Sequence, residues 1–218
     1  MPAIEAILFD LDGTLVRYHG IEYESSWGAI AAAAGVEEAS SRLLREYLPR
    51  RDHYAEWVEK DAALLTGIPV ERVAERIFPA PYAKGVQEAV AALSGRFRLG
   101  IVSSGVGLVA DWVRDDLGLE FALANELGVA DGVFTGRSTT NVDLWSKDEA
   151  LRLVAAERGL SLERICFVGD HFNDLCAMKL VGLAIAANPK DDRLREAADH
   201  TIDDFAMLPD LVEAYVDR

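Results

Sequence analysis

The chain has 218 residues, half of them apolar, and its 37 acidic and 22 basic side chains give a formal net charge of −15. This length suits one main domain with a modest insertion and a sizeable core. The negative charge argues against nucleic acids and anionic membranes as partners, because both repel an acidic surface. No apolar run approaches the roughly 20 residues of a membrane span, and only two cysteines in the whole chain fit a reducing, cytoplasmic location.

The first predicted element is a short buried strand at residues 6–9, which runs directly into Asp10, Asp12, Gly13 and Thr14. A short apolar run closed by a glycine-containing turn is typical of a strand in a parallel sheet. Ligands bind at the carboxyl edge of such sheets. In an extended chain, two carboxylates two positions apart point the same way. Their like charges repel each other unless a proton or a cation neutralises one of them. Carboxylate oxygens are ligands that suit Mg²⁺. A turn with two solvated aspartates is the alternative.

Residues 15–83 show no strand pattern and contain four predicted helices, at residues 27–34, 40–48, 54–65 and 69–78. Glycine and proline mark most of their ends. An all-helical insertion directly after the first strand would lie above the carboxyl edge of the sheet, as a cap. We expect Trp27 and Trp57 to belong to the core of this cap rather than to contact a ligand.

A second buried strand, residues 97–102, ends at Ser103, Ser104 and Gly105, and a helical pattern follows. Hydroxyls and free backbone N–H groups at the start of a helix can hold a phosphate group. The same residues are also ordinary helix N-caps, so both interpretations stand on this segment alone. No Walker motif occurs, which argues against a P-loop nucleotide-binding fold.

Lys147 is predicted to lie in the first turn of a helix that Ser146 and Glu149 would begin as a capping box. A lysine at this end opposes the helix dipole, which favours anions there. The chain has only five lysines, so abundance does not explain the position. An anion facing Lys147 would explain it; a solvated surface lysine is the alternative.

A third buried strand, residues 165–168, leads into Gly169, Asp170, Asn173 and Asp174. Asp170 would lie at the tip of the strand. Asp174 would lie in the first turn of the next helix, where an acid also simply complements the helix dipole. If this strand is parallel and adjacent to the first one, both acidic clusters meet at one edge of the sheet.

Outside residues 15–83, strand and helix patterns alternate, which predicts a doubly wound parallel sheet. One exception is Asp131-Gly132 between apolar residues, which predicts a two-residue hairpin turn. Residues 207–216 are predicted to form a closing amphipathic helix.

The segments around Asp10, Ser103, Lys147 and Asp170, in this order, resemble the motifs of the haloacid dehalogenase superfamily of phosphotransferases. The resemblance extends over about residues 4–205 and is strongest to the phosphoserine phosphatase branch. It implies an α/β fold, with a Rossmann-like parallel sheet core and a small all-helical cap inserted after the first strand. Residues 1–15 and 84–218 would form the core, and residues 16–83 the cap.

The resemblance also implies a role for each motif. Asp10 would be the catalytic nucleophile, and Asp12 the general acid and base. The phosphate group would be held by Ser103, Ser104, Gly105 and Lys147. Mg²⁺ would be held by Asp10, Asp170 and the backbone carbonyl of Asp12, with Asn173 and Asp174 in the surrounding shell.

Two departures from that branch concern the substrate. Phosphoserine phosphatases usually carry a glutamate in the cap segment soon after the nucleophile, whereas His19 stands nearest that position here, with Glu22 just beyond. His171 occupies a place where glycine is common. Arg17, His19 and Glu22 are therefore the candidates for selecting the leaving group.

The sequence thus predicts a Mg²⁺-dependent phosphomonoester hydrolase that acts on a small phosphorylated metabolite through an aspartyl-phosphate, with phosphoserine as one candidate substrate. A phosphomutase of the same superfamily and a non-catalytic module that binds phosphorylated ligands are the alternatives. The pair Asp10 and Asp12 disfavours the binding module, since a pure binder does not need both acids. We expect a monomer or homodimer, with neither nucleic acid nor membrane as a partner.

Overall fold

A computed structural model describes residues 3–215. Its centre is a seven-stranded sheet with the strand order β4-β3-β2-β1-β5-β6-β7, and every neighbouring pair is parallel except β3 and β4. The strands are β1 (Ala6–Phe9), β2 (Arg98–Val106), β3 (Phe121–Ala130), β4 (Val133–Thr139), β5 (Ile165–Gly169), β6 (Leu183–Ala187) and β7 (His200–Ile202).

The central position of β1 follows from its composition, because all four of its residues are apolar and buried. A strand that is covered on both faces needs such a run. In the register of the sheet, Phe9 pairs with Ile101 of β2 on one side and with Val168 of β5 on the other. The carboxyl ends of these three strands therefore lie side by side, as the sequence predicts.

Helices cover both faces of the sheet. Ile7 and Phe9 point into the larger apolar core on one face, whereas Ala6 and Leu8 point into a second core on the other. The predicted doubly wound α/β fold is thus confirmed.

Residues 26–77 form an all-helical cap, and its helices fall close to the four predicted ones. They are α1 (Ser26–Ala34), α2 (Glu37–Tyr47), α3 (Tyr54–Leu64) and α4 (Val70–Ile77). The first helix ends where Gly35 takes a left-handed conformation, as the glycine predicts. The helices of the core are α5 (Val86–Leu93), α6 (Gly107–Leu117), α7 (Lys147–Glu157), α8 (Leu175–Met178), α9 (Asp192–Ala197) and α10 (Leu208–Glu213).

Two connecting segments join the cap to the core and run side by side. The backbone N–H of Ala83 donates a hydrogen bond to the carbonyl of Leu15, and that of Arg17 donates to the carbonyl of Pro81. Cap and core therefore meet at a paired connection on the site side of β1. The exact division at residues 15/16 and 83/84 stays a prediction.

The hairpin of β3 and β4 turns at Asp131 and Gly132, which both have positive φ, as predicted for this dipeptide. Its tip contacts the cap through backbone hydrogen bonds, from Phe134 N to the Ile68 carbonyl and from Val70 N to the Gly132 carbonyl. The sequence did not predict this contact, because local patterning carries no signal for pairing between distant segments.

The C-terminal helix α10 is shorter than predicted, and residue 216, at the end of the predicted helix, lies outside the described residues. No helix in residues 3–215 is long and apolar enough to cross a bilayer.

Candidate active site

Asp10 follows β1 directly, and a buried lysine holds its carboxylate. The Nζ atom of Lys147 lies 2.8 Å from Asp10 Oδ1 and also donates a hydrogen bond to Asp174 Oδ1. Lys147 is the first residue of α7 and is completely buried. The prediction that it faces an anion is thus confirmed, and the two carboxylates offset its unfavourable position in the helix dipole. Burial by itself would lower the pKa of Lys147, but the charges of Asp10 and Asp174 raise it overall.

Asp170 follows β5 and completes a cluster of buried carboxylates. One oxygen from each of Asp10, Asp170 and Asp174 lies within 4.8 Å of the other two. Thr14 Oγ1 is 3.3 Å from Asp170 Oδ1 and donates a hydrogen bond to it. Gly13 has a φ of +85°, and a Cβ there would clash with the carboxylate of Asp170. Glycine at this position therefore serves both the turn and the close approach of the two strand ends.

The carboxylate cluster carries more negative charge than the protein neutralises. Burial, reinforced by the charges of Asp174 and Asp10, raises the pKa of Asp170 well above its ordinary value. Burial also raises the pKa of Asp174, although Lys147 opposes this shift. With all groups ionised, three carboxylates lie around the buried ammonium of Lys147, which contacts two of them, and Lys190 approaches the third, Asp170, at 3.9 Å. A divalent cation would offset the remaining excess of negative charge.

Asp12 is held from the cap rather than from the core. The backbone N–H and the hydroxyl of Ser26, at the start of α1, donate hydrogen bonds of 2.8 and 2.7 Å to its two carboxylate oxygens. The pKa of Asp12 is raised to about 7 overall: burial is the largest cause, the charge of Asp10 adds to it, and the hydrogen bonds from Ser26 oppose it. A Cβ at Gly105 would lie 2.6 Å from Asp12 Oδ2, so a larger residue there would disturb this arrangement.

Ser103, Ser104 and Gly105 lie within the last part of β2, which extends to Val106, rather than at a helix start. The difference arises because β2 continues through an irregularity in its pairing with β3, between Val102 and Val106. Ser103 is buried at the site, and its Oγ accepts a hydrogen bond of 3.1 Å from Gly105 N.

The carbonyl of Ser104 ties this segment to the cap. It accepts hydrogen bonds from Trp27 Nε1 at 3.0 Å and from the hydroxyl of Tyr54 at 2.9 Å. Asn125 Nδ2, from β3, donates a third bond of 2.9 Å. Two cap helices and one core strand thus fix a single backbone group beside the site.

A cavity of about 500 Å³ opens above these residues. Its core end is formed by Asp10, Asp12, Ser103 and Asp170, and its cap end by Trp27, Tyr54, Trp57 and Asp61. Both tryptophans also pack against apolar clusters. The prediction that both tryptophans pack in the cap core is therefore only part of the picture, because one face of each indole packs while another lines the cavity.

The structure separates the three specificity candidates. Glu22 lines the cavity and forms an ion pair of 2.6 Å with Arg45. Arg17 and His19 are absent from the cavity wall: Arg17 Nε donates to the Gly13 carbonyl at 3.4 Å, and His19 pairs with Glu24 at 3.2 Å. A role for any of the three in specificity stays a prediction.

The starts of α7 and of the turn after β5 differ in detail from the prediction. Helix α7 begins at Lys147 as predicted, but the Ser146 side chain makes no capping hydrogen bond, so the predicted capping box is wrong.

Asn173 and Asp174 lie in a short 3₁₀ turn, and Asp174 Oδ2 accepts hydrogen bonds from the backbone N–H groups of Asp170 and His171. That acceptor role positions Asp170 directly.

Sequence reasoning missed three residues of the site. In the sequence, Ser26 belongs to an ordinary helix start, Asp61 is one of many acids on a helix, and Lys190 lies in a polar loop, so none of them stands out. In the structure, Lys190 Nζ lies 3.7 Å from Glu24 and 3.9 Å from Asp170. Only Ser25 and Ser26, at the start of α1, gave a local signal, and that signal indicated a helix cap.

Comparison with known proteins agrees with this geometry. Residues 7–179 match the family model of haloacid dehalogenase-like hydrolases. A phosphoserine phosphatase of Methanocaldococcus jannaschii is 34% identical over 199 residues, which are 90% of this chain and 91% of that protein. A phosphoserine phosphatase of Archaeoglobus fulgidus is 33% identical over 90% of this chain, but the match spans only 56% of that longer protein.

Solved structures show the same likeness. A substrate-bound complex of phosphoserine phosphatase superimposes with a TM-score of 0.77 at 31% identity, covering 97% of this chain and 99% of the other. A phospho-aspartyl intermediate analogue of phosphoserine phosphatase has the same score and identity, covering 96% and 99%. With its motifs, its fold and its buried aspartates all in agreement, the chain belongs to the haloacid dehalogenase-like hydrolases.

Proposed function

We propose that this protein is a Mg²⁺-dependent phosphatase that hydrolyses a small phosphomonoester through an aspartyl-phosphate on Asp10. One observation carries the proposal. Asp10 and Asp12 lie together at the core end of an enclosed cavity, Lys147 contacts the first, and a cap residue holds the second. A pocket that only bound phosphate would gain nothing from placing two acids there, since both repel the ligand.

The residues of the core end fit a magnesium ion. The ligands in this cluster are oxygens only: three buried carboxylates lie close together, and their charge exceeds that of the ammonium groups of Lys147 and Lys190 beside them. Hard oxygen ligands of this kind suit Mg²⁺. We propose that Asp10, Asp170 and the backbone carbonyl of Asp12 would hold the ion, with Asp174 and Asn173 around them. When bound, Mg²⁺ would offset the repulsion between the carboxylate of Asp10 and the phosphate oxygens.

In the first step, a carboxylate oxygen of Asp10 attacks phosphorus, and the bond from phosphorus to the alcohol oxygen breaks. Lys147 and Ser103 stabilise the negative charge of the transferring group, with Ser104 and Gly105 shaping the segment that faces it. Because Lys147 already contacts Asp10, it orients the nucleophile and lies beside the incoming phosphoryl group.

Asp12 supplies the proton for the leaving alcohol. It then accepts a proton from the water that attacks the aspartyl-phosphate, which releases inorganic phosphate and regenerates Asp10. A pKa of about 7, raised by burial, suits an acid that donates and recovers a proton near neutral pH. Ser26 holds both oxygens of this group, so the cap takes part in orienting the acid.

The size of the cavity favours a small phosphorylated metabolite as substrate. Phosphoserine phosphatases are the relatives of this chain, so phosphoserine is the reference substrate for any test. The acidic surface and two unpaired cysteines support a diffusible substrate in the cytoplasm rather than nucleic acid or a membrane.

Release of inorganic phosphate from an aryl phosphate tests the proposal. We expect turnover with Mg²⁺ and loss of turnover with excess chelator. Ca²⁺ should inhibit, because its looser coordination allows Asp10 to bind it through both oxygens instead of attacking. Undiminished turnover in chelator would refute the metal dependence. Formation of an isomeric phosphate ester without free phosphate would instead identify a phosphomutase.

A further inference from the structure

The cap end of the cavity contains a buried acid that the phosphoryl chemistry does not use. Asp61, on α3, is only 8% exposed and lines the cavity. Its Oδ1 accepts a hydrogen bond of 2.9 Å from Ser40 Oγ. No charged group of the described chain contributes to its pKa, which burial raises to about 6. A buried carboxylate without a cation is costly, so its presence calls for an explanation.

In the part of the chain that the structure describes, the rest of the cavity wall provides no free cation for Asp61, because Arg45 already pairs with Glu22 at 2.6 Å and His19 pairs with Glu24 at 3.2 Å. Glu22, Glu24 and Glu37 also line the cavity, whereas no arginine does so among the described residues. Within residues 3–215, Lys190 is the only lysine in the wall, and it already lies between Glu24 and Asp170. His171, the other basic residue of the wall, adjoins Asp170 at the core end.

The remaining surface of the cap end is aromatic. Trp27 and Trp57 line it, and Tyr54 contacts Trp57 edge to face at 5.9 Å between ring centroids. The faces of aromatic rings attract cations. A carboxylate placed here would meet the carboxylate of Asp61, and Arg45, which lies beside this wall, already pairs with Glu22.

We propose that the alcohol released by this enzyme carries a positively charged amine and no carboxylate. The inference rests on the proposed function, because it assigns the leaving group of that same reaction. The amine would pair with Asp61 against the indole rings, while the phosphate group occupies the core end. Phosphoserine, which has both an amine and a carboxylate, would then be a poor substrate despite the names of the relatives.

A matched set of phosphate esters tests this. O-phosphoethanolamine and O-phosphoserine differ by one carboxylate, and 2-hydroxyethyl phosphate replaces the amine of the first by a neutral hydroxyl. We expect kcat/KM for O-phosphoethanolamine to exceed both others by about tenfold or more, since a buried unpaired charge is rejected at least this strongly. Equal or greater kcat/KM for either of the other two would overturn the proposal.

The variant Asp61→Asn sharpens the test, with Glu59→Gln on the exposed side of the same helix as its matched control. The ratio of kcat/KM for O-phosphoethanolamine to that for 2-hydroxyethyl phosphate should fall about tenfold in Asp61→Asn and stay unchanged in Glu59→Gln. An unchanged ratio in a folded Asp61→Asn, checked by thermal unfolding, would remove Asp61 from amine recognition and overturn the proposal.

The two proposals fail in different ways. If an aryl phosphate is hydrolysed with Mg²⁺ but O-phosphoserine is preferred, only the leaving-group inference is wrong. If no ester in the set, the aryl phosphate included, releases phosphate, the proposed function itself is wrong.

Discussion

At the core end of the cavity, Lys147 contacts the carboxylates of Asp10 and Asp174, whereas at the cap end the carboxylate of Asp61 is held, within the described chain, only by the neutral side chains of Ser40 and Trp57. Both ends bury acids, but only the core end provides a cation beside them. The core end is therefore organised to hold charge in a fixed geometry, as phosphoryl transfer requires. At the cap end, the negative charge of Asp61 has no cation beside it among residues 3–215 and is available for a positively charged ligand. The comparison suggests that chemistry and selectivity reside in separate parts of one cavity.

The strongest way to break the core end is to remove the nucleophile. Asp10→Asn should lower kcat by about a thousandfold or more, because an amide cannot form the acyl phosphate. The fold should survive, since Lys147 keeps its contact with Asp174. Phosphate release and thermal unfolding check both points, with Asp192→Asn on the surface as control. More than a tenth of wild-type activity would contradict the assignment of the nucleophile.

Removing the buried cation should cost stability as well as activity. Lys147→Met would leave the buried carboxylates without their ammonium, and we expect the free energy of unfolding to fall by about 3–5 kcal/mol. Urea unfolding measures this, with the exposed Lys179→Met as control. The double variant with Asp174→Asn should recover part of the loss. If the single variant were as stable as wild type, the ammonium would not be what stabilises these acids.

Ser26→Ala tests the link from the cap to the core end. Without the hydroxyl, Asp12 should be less well oriented, and hydrolysis of alkyl phosphates should fall about tenfold, which is part of the roughly 10²–10⁴-fold effect of a general acid. An aryl phosphate should lose less, because its leaving group needs little protonation. Ser25→Ala is the matched control: it removes the hydrogen bond from Gly28 N that caps α1 but no contact with Asp12. Equal losses on both ester types would indicate a structural role only.

The smallest expected effect is on the stability of the cap end. The pKa of Asp61 is about 6 in the folded protein against an ordinary 3.8, so the folded state binds more protons between these values. Stability should therefore fall as pH rises from about 4 through 6. Above this range, Asp61→Asn should be more stable than wild type by about 1–3 kcal/mol. Because the pKa values of Asp12, Asp170 and Asp174 are raised as well, urea unfolding at pH 4 and pH 8 is compared between wild type and Asp61→Asn. The same change in stability in both proteins would contradict the buried charge of Asp61.

The sequence determined the framework of this protein because its strongest signals are local. Apolar runs followed by Asp10, Ser103 and Asp170 define buried strands with polar ends, and glycine and proline mark the helix boundaries of the cap. Strand period and helix period need only neighbouring residues, so they can be recognised without knowledge of the fold. The alternation of strands and helices then limits the topology to a doubly wound sheet.

The tertiary structure decided which side chains meet. Ser26 contacts Asp12 across 14 positions, and Tyr54 contacts the carbonyl of Ser104 across 50. No local pattern encodes such contacts, because they depend on how the cap packs onto the sheet. Asp61 shows the limit most clearly: its helical position is predictable, but its burial in the cavity wall without a cation follows only from the packed structure.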